Sequence, residues 1–292
     1  MKNLKTISAL ALGTLVAAAA LAADKPAYPA YSVPNSQIRV LPVTKEGRHY
    51  QLYIGLPGSY GTDATRRYPV VYVTDGYWDF AKITSIGGGL VYDRVVPEFI
   101  TVGFGYAGDK PNYGDLRRWE LSPAPVDDNG EASGHAADFR NTLEKSIIPM
   151  IDAEYRTDPH YRVMAGTSLG GLFTLYTMFT KPDLFQAYIA VTPAVIVGND
   201  WLFKYEDDFA KANRPLRTRL YMTVGGNESP GYLNGVIRFN QRLAQRKRAG
   251  FVYDFRIVEG ERHGGVPFDS YTRGLRFAFE PIAPETGPAP GN

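Results

Sequence analysis

Apolar positions along this chain fall in short runs, and from residue 38 onward they alternate between two spacings. Runs rich in Val, Ile, Tyr and Phe, most of them bounded by Gly or Pro, lie at 38–43, 49–56, 69–74, 99–104, 162–165, 187–192, 219–224 and 253–258 and predict eight strands. Helical spacing marks 136–155, 169–180, 200–212, 232–249 and 268–279. In the first of these Phe139, Leu143, Ile147 and Ile151 recur every four residues and form one apolar stripe. Strands alternating with amphipathic helices predict an α/β fold, a mostly parallel sheet covered on both faces. The first two strands, joined through Lys45 to Arg48, read as an antiparallel hairpin. Residues 107–134 lack clear periodicity and contain three prolines, the mark of a functional or mobile loop. No internal repeat is visible.

The sharpest punctuation is Gly166-Thr167-Ser168-Leu169-Gly170, where an apolar run stops and a helical pattern starts at once. A strand-to-helix turn this tight needs small flanking residues and holds the serine hydroxyl above the sheet edge. Ser168 is the candidate nucleophile. A bare G-x-S-x-G also arises in loops with no chemistry attached; the strand before it and the helix after it provide the context that the motif requires.

In an α/β-hydrolase the chain order is Ser, then Asp or Glu, then His, so the partners should follow Ser168. Of the four histidines, His263 alone comes later, in Glu259-Gly-Glu-Arg-His-Gly-Gly265 after the eighth strand. It is the candidate base, the alternative being a loop histidine that meets water. Glu228 is the first acid after the seventh strand and the candidate partner of the histidine's second nitrogen. Asp200 is the alternative acid, and a Ser-His dyad is a third arrangement. Acyl transfer also needs two donors for a developing oxyanion. The expected ones are the backbone N–H of Leu169, next to the nucleophile, and that of Tyr77, in the loop after the third strand.

Composition narrows the classes. The formal charge of +2 includes Lys2 and Lys5, which leaves the rest close to neutral, and the basic run 242–248 lies in a helical segment as a solvated face. Nucleic acid is therefore not an expected partner; a small-molecule ester is. No metal-ligand spacing stands out, and no cofactor is expected. Gly87-Gly-Gly89 is followed by no Gly-Lys-Ser/Thr and reads as a flexible turn. Lysines 2 and 5, an apolar stretch at 7–21 and the small residues Ala20, Ala22 and Ala23 predict a secretory signal peptide over 1–23. The product would be periplasmic or secreted, without stable membrane insertion. With no cysteine in the chain, its stability rests on its core. One domain is expected over 24–280, followed by a Pro- and Gly-rich, disordered tail over 281–292.

From about 38 to 279 the chain resembles the putative esterase family of α/β-hydrolases, which includes esterase D-like and enterochelin (siderophore) esterases. The resemblance rests on Val71-Tyr-Val-Thr-Asp-Gly76, Arg118-Trp-Glu-Leu-Ser-Pro123, the segment 148–158 leading into the elbow, and the His263 loop. It implies Ser168 as nucleophile, His263 as base, an acid matching Glu228 and an oxyanion donor at Tyr77. Secreted relatives of this kind resemble periplasmic enzymes that open catecholate trilactones, for which Arg117 and Arg118 would pair with an anionic substrate, the alternative for two adjacent arginines being ordinary surface charge. Carbohydrate acetyl or feruloyl esters are the alternative substrates, and a non-catalytic binding protein on a hydrolase scaffold is the alternative from another class. Two positions depart from the family pattern. Thr167 stands where His or Arg is common, and Thr192-Pro-Ala-Val195 replaces a serine-proline-serine.

Overall fold

In the computed structural model, which describes residues 28–125, 133–246 and 248–284, eight strands form one sheet. The signal peptide expected over 1–23, and the tail from 285 onward, lie outside the described residues. The chain divides at 32/33 into two units, and all that follows concerns the second.

The strands are β1 (Ser36–Val40), β2 (Tyr50–Gly55), β3 (Tyr68–Val73), β4 (Ile100–Tyr106), β5 (Thr157–Thr167), β6 (Ala187–Val191), β7 (Arg219–Gly225) and β8 (Val252–Val258). Their order across the sheet is β1-β2-β4-β3-β5-β6-β7-β8. β1 and β2 pair antiparallel and β2 runs antiparallel to β4, whereas every pair from β4 to β8 is parallel. This is the α/β-hydrolase arrangement, with the antiparallel hairpin in its expected place. All six residues of β3 are buried, and their side chains alternate between two cores. Val70 and Tyr72 face one core; Val71 and Val73 face the other. Burial on both faces is why this strand reads as an unbroken apolar run.

The helices are α1 (Gly76–Tyr92), α2 (Tyr113–Leu121), α3 (Ala136–Thr142), α4 (Ile148–Glu154), α5 (Leu169–Thr180), α6 (Val197–Lys211), α7 (Pro230–Gln245) and α8 (Val266–Phe279). Residues of α1 and α8, among them Ile83, Leu90, Tyr271 and Phe279, build one core. Residues of α3 to α7, among them Phe139, Phe173, Leu202 and Phe239, build the other.

Three segments differ from the sequence pattern. Gly87 to Gly89 lie inside α1 and not in a turn. A side chain at Gly87 would place its Cβ 2.4 Å from the Phe99 ring, so the glycine makes room for an aromatic residue on the buried face. The aperiodic stretch 107–134 contains α2, whose Asn112 side chain accepts the N–H of Asp115 as a cap. The helix expected over 136–155 is interrupted by a π-helical turn, Leu143–Ile147, just before Pro149. Proline lacks the N–H that a continuous α-helix would donate to the Lys145 carbonyl. A four-residue repeat also drifts by about 40° per step on an α-helix, and the wider π turn takes some of that back. All four residues of the predicted stripe are therefore buried.

Candidate active site

β5 ends at Thr167 and α5 begins at Leu169, which leaves Ser168 alone to make the turn. Its backbone sits at φ 62°, ψ −118°, a region that costs a non-glycine residue about 1–3 kcal/mol. The turn is pinned from the next strand. Ser168 N–H donates to the Val191 carbonyl at 3.0 Å, and the Ser168 carbonyl accepts from Ala194 N–H at 3.0 Å and Leu172 N–H at 2.9 Å. The flanking glycines are steric necessities. A Cβ at Gly166 would lie 2.4 Å from the Gly170 carbonyl oxygen, and one at Gly170 would lie 2.1 Å from the Thr74 hydroxyl.

Glu228 follows β7, and His263 lies between β8 and α8. His263 Nδ1 is 2.7 Å from Glu228 Oε1. The carboxylate is nearly buried, with 8% of its side chain exposed, whereas the imidazole is 43% exposed and open to a reactant. Ser168 and His263 line one cavity of about 220 Å³, together with Asp75, Trp78, Asp79, Lys82, Arg117 and Thr167. A larger cleft of about 810 Å³, by Trp119 and the π-helical turn, contains none of the three candidate triad residues. Asp200, the alternative acid, pairs instead with Arg238 at 2.8 Å. Among the described residues no cluster of His, Asp and Glu is placed to hold a metal ion.

Tyr77 is the second residue of α1 and Leu169 is the first of α5. The first N–H groups of a helix have no acceptor within it, and they carry the positive end of its dipole. Both expected oxyanion donors are of this kind. Arg117 and Arg118 part company. Arg117 lines the cavity, with Nε and Nη2 each 2.8 Å from an oxygen of Asp75. Arg118 lies exposed and pairs with Asp115 on its own helix at 3.3 Å. Burial pushes the Asp75 carboxyl above its ordinary range, and the Arg117 bonds oppose that push.

The two departures at Thr167 and Thr192 acquire a physical reason. Thr167 Oγ1 donates to Asp79 Oδ2 at 2.8 Å and lies 2.8 Å from the Tyr271 hydroxyl, while Lys82 holds the other Asp79 oxygen at 2.7 Å. Thr167 thus ties the turn to α1 and α8 beneath the cavity. Thr192 Oγ1 donates to Glu228 Oε1 at 2.6 Å, the same oxygen that meets His263. Its carbonyl accepts the Tyr232 hydroxyl at 2.6 Å, and the Tyr232 ring meets the His263 ring edge-on at 5.4 Å. Burial pushes the Tyr232 hydroxyl above its ordinary value. The sequence pattern carries no motif for the braces at Thr192 and Tyr232. The departure at Thr192 was the one local signal for either.

A bond to a carboxylate is worth about 1.5–3 kcal/mol, or roughly a factor of ten or more in rate. If Thr192 aims Glu228, Thr192→Val lowers kcat/KM for an ester about tenfold or more, and Thr192→Ser stays within about threefold of wild type. Initial rates decide this, and a fully active valine variant would remove the brace.

A family model described as putative esterase matches residues 44–266. The chain is similar to the ferri-bacillibactin esterase BesA of Bacillus subtilis, with 29% identity over 272 residues that cover 87% of this chain and 93% of the relative. Among solved structures it resembles the BES protein from Bacillus cereus, with a TM-score of 0.78, 25% identity and coverage of 87% and 99% of the two chains. The fold also matches siderophore hydrolase EstB from Aspergillus nidulans, with a TM-score of 0.75, 23% identity and coverage of 89% and 99%.

Proposed function

We propose a serine mechanism and a siderophore ester substrate for this chain, which belongs to the putative esterase family and is an ester hydrolase. The observation that carries the mechanism is the bond from His263 to the nearly buried Glu228, with Ser168 on its elbow in the same cavity. Glu228 accepts the Nδ1 proton, which leaves Nε2 as the base. His263 takes the Ser168 proton as Oγ bonds to the ester carbonyl carbon, and the carbonyl π electrons move onto oxygen. The N–H groups of Tyr77 and Leu169 stabilise that oxyanion. When it collapses, the bond to the alcohol oxygen breaks and His263 protonates the leaving alcohol. Water, deprotonated by His263, then attacks the acyl-enzyme, releasing the acid and restoring Ser168.

Two observations support the substrate. The relatedness to BesA extends over most of both chains. Trp78, 45% exposed, lines the cavity, and its ring forms a shelf with those of Tyr77, 59% exposed, at 5.6 Å and Tyr113 at 5.9 Å. Such a shelf offers aromatic faces to a planar ring. A cavity of about 220 Å³ is below the usual 300–1,000 Å³ of a ligand pocket, which suits one arm of a large ester with the remainder lying on the shelf. The same shelf would take a feruloyl ring, and this is the second reading. The signal-like stretch at 1–23 supports a periplasmic or secreted enzyme.

Ferric and iron-free catecholate trilactones, feruloyl esters and short aryl esters, each incubated with the protein and followed by mass, discriminate these readings. Trilactones should gain one water per ester bond opened, and an aryl fluorophosphonate should label Ser168 once. Cleavage of feruloyl or aryl esters with intact trilactones removes the siderophore. Absence of both hydrolysis and label removes the serine mechanism and favours a binding protein.

A further inference from the structure

α1 begins at an aspartate that does not cap it. Asp75 is the N-cap of α1, in the left-handed region at φ 53°, and its side chain makes no capping bond. Aspartate at this place ordinarily accepts the N–H of the second or third helical residue. Here the N–H groups of Trp78 and Asp79 go to the Asp75 carbonyl, at 2.8 and 3.1 Å. Both carboxylate oxygens go to Arg117 on α2, at 2.8 Å each. The pair is enclosed, with 5% of the Asp75 side chain and 18% of the Arg117 side chain exposed, and the guanidinium lies 5.8 Å from the Trp78 ring centroid. Asp75 also borders the elbow, since its Oδ2 lies 3.1 Å from where a Cβ on Gly170 would stand.

A free carboxylate here would have two harmful options. It could turn onto the first N–H groups of α1 and occupy the donors that the oxyanion needs, or it could stay and repel the oxyanion in a medium of low dielectric. Arg117 closes both by holding the carboxylate in a fork and cancelling its charge.

We infer that Arg117 is a positioning residue: by engaging Asp75 in a two-pronged ion pair, it keeps the N–H groups at the start of α1 free for the oxyanion, and it does not bind the substrate. Through it, α2 reaches into the catalytic machinery. The inference rests on the serine mechanism proposed above. It also explains why an aspartate can stand beside the first donors of the helix without quenching them.

The experiment uses the full chain and the ester of the panel that wild type turns over fastest. Arg117→Met should lower kcat about 100-fold, the scale of a lost oxyanion donor, with KM within about threefold. Inhibition by an aryl trifluoromethyl ketone, which forms an oxyanion on the serine, should weaken by a similar factor. Adding Asp75→Asn to Arg117→Met should recover at least tenfold, which simple loss of a clamp would not allow. Should Arg117→Met fail to fold, Arg117→Lys keeps the charge without the fork and should show a smaller loss, again in kcat. A rise in KM at unchanged kcat, or a double variant no faster than the single, overturns the inference. A fully active Ser168→Ala removes the serine mechanism and this inference with it. An inactive Ser168→Ala beside an unimpaired Arg117→Met removes this inference alone.

Discussion

Ser168→Ala should lower kcat/KM for a short aryl ester by about 10⁴-fold or more and leave the fold intact. The size follows from the proposed serine mechanism. Without Oγ no acyl-enzyme can form, and His263 and Glu228 then have no proton to move; residues that act as one unit fail together. A factor of 10⁴ is about 5.5 kcal/mol of transition-state stabilisation. What survives is the contribution of the oxyanion donors and of binding alone. Stability should change little, because alanine keeps the Cβ and the three backbone bonds that pin the turn. Initial rates and thermal unfolding measured on the same preparation separate the two effects. Equal rates in variant and wild type would remove Ser168 as nucleophile.

Gly166→Ala should be among the most damaging single-methyl insertions in the protein. The added Cβ would meet the Gly170 carbonyl oxygen at 2.4 Å, the Gly170 carbonyl carbon at 2.5 Å and the Thr74 hydroxyl at 2.5 Å. Two of these three atoms are backbone, so relief requires α5 to move off β5. Overpacking costs typically 1–3 kcal/mol and more where the neighbours cannot give, so a loss of about 3 kcal/mol is expected. For a chain of this size it corresponds to roughly 6–12 °C in Tm. Activity should fall as well, since any movement of α5 carries Ser168 and the Leu169 N–H with it. Gly88→Ala is the internal control. It lies within α1, where an added Cβ meets nothing within 4 Å, and should stabilise by about 0.5–1 kcal/mol. Thermal unfolding of the two variants checks both signs, and an unperturbed Gly166→Ala would mean the elbow is looser than its contacts imply.

The two glycine positions also mark where the chain could be read and where it could not. All eight strands were legible because β-branched and aromatic runs bounded by turn residues carry a local signal, and α5 was legible to the residue because the elbow fixes its start. α1 was hidden by Gly87 to Gly89, which make a good turn pattern locally; Phe99, from outside the helix, is what makes Gly87 fit. α2 has nine residues, and its apolar positions Tyr113, Leu116, Trp119 and Leu121, set among four charged residues, make too short a stripe to detect. At the site, the order Ser168, Glu228, His263 could be read from the chain, since strand order places each at the same end of the sheet. Residues that act on these three could not. Thr192 meets Glu228 across 36 positions, and Arg117 meets Asp75 across 42. Neither spacing has a period or a motif, because β6, β7 and α2 bring these partners together only when the sheet closes. The adjacent arginines looked alike as a pair, and their helix faces them in different directions.

The protein also carries its own optical reporters. Its sequence has three tryptophans, and they stand in three different surroundings. Trp119 is sandwiched between the Arg48 guanidinium, 3.4 Å from its ring centroid, and the His135 ring at 3.7 Å. Trp201, partly buried against the core, is stacked on Tyr205 at 5.0 Å. Trp78 alone lines the reaction cavity, and it is 45% exposed to water. An ester seated over Ser168 must displace water from that indole, which shifts its emission toward the blue, while the other two stay in their stacks. Intrinsic fluorescence therefore reads occupancy of the cavity directly, and an inactive serine variant can be titrated with an intact ester, with no label and no turnover.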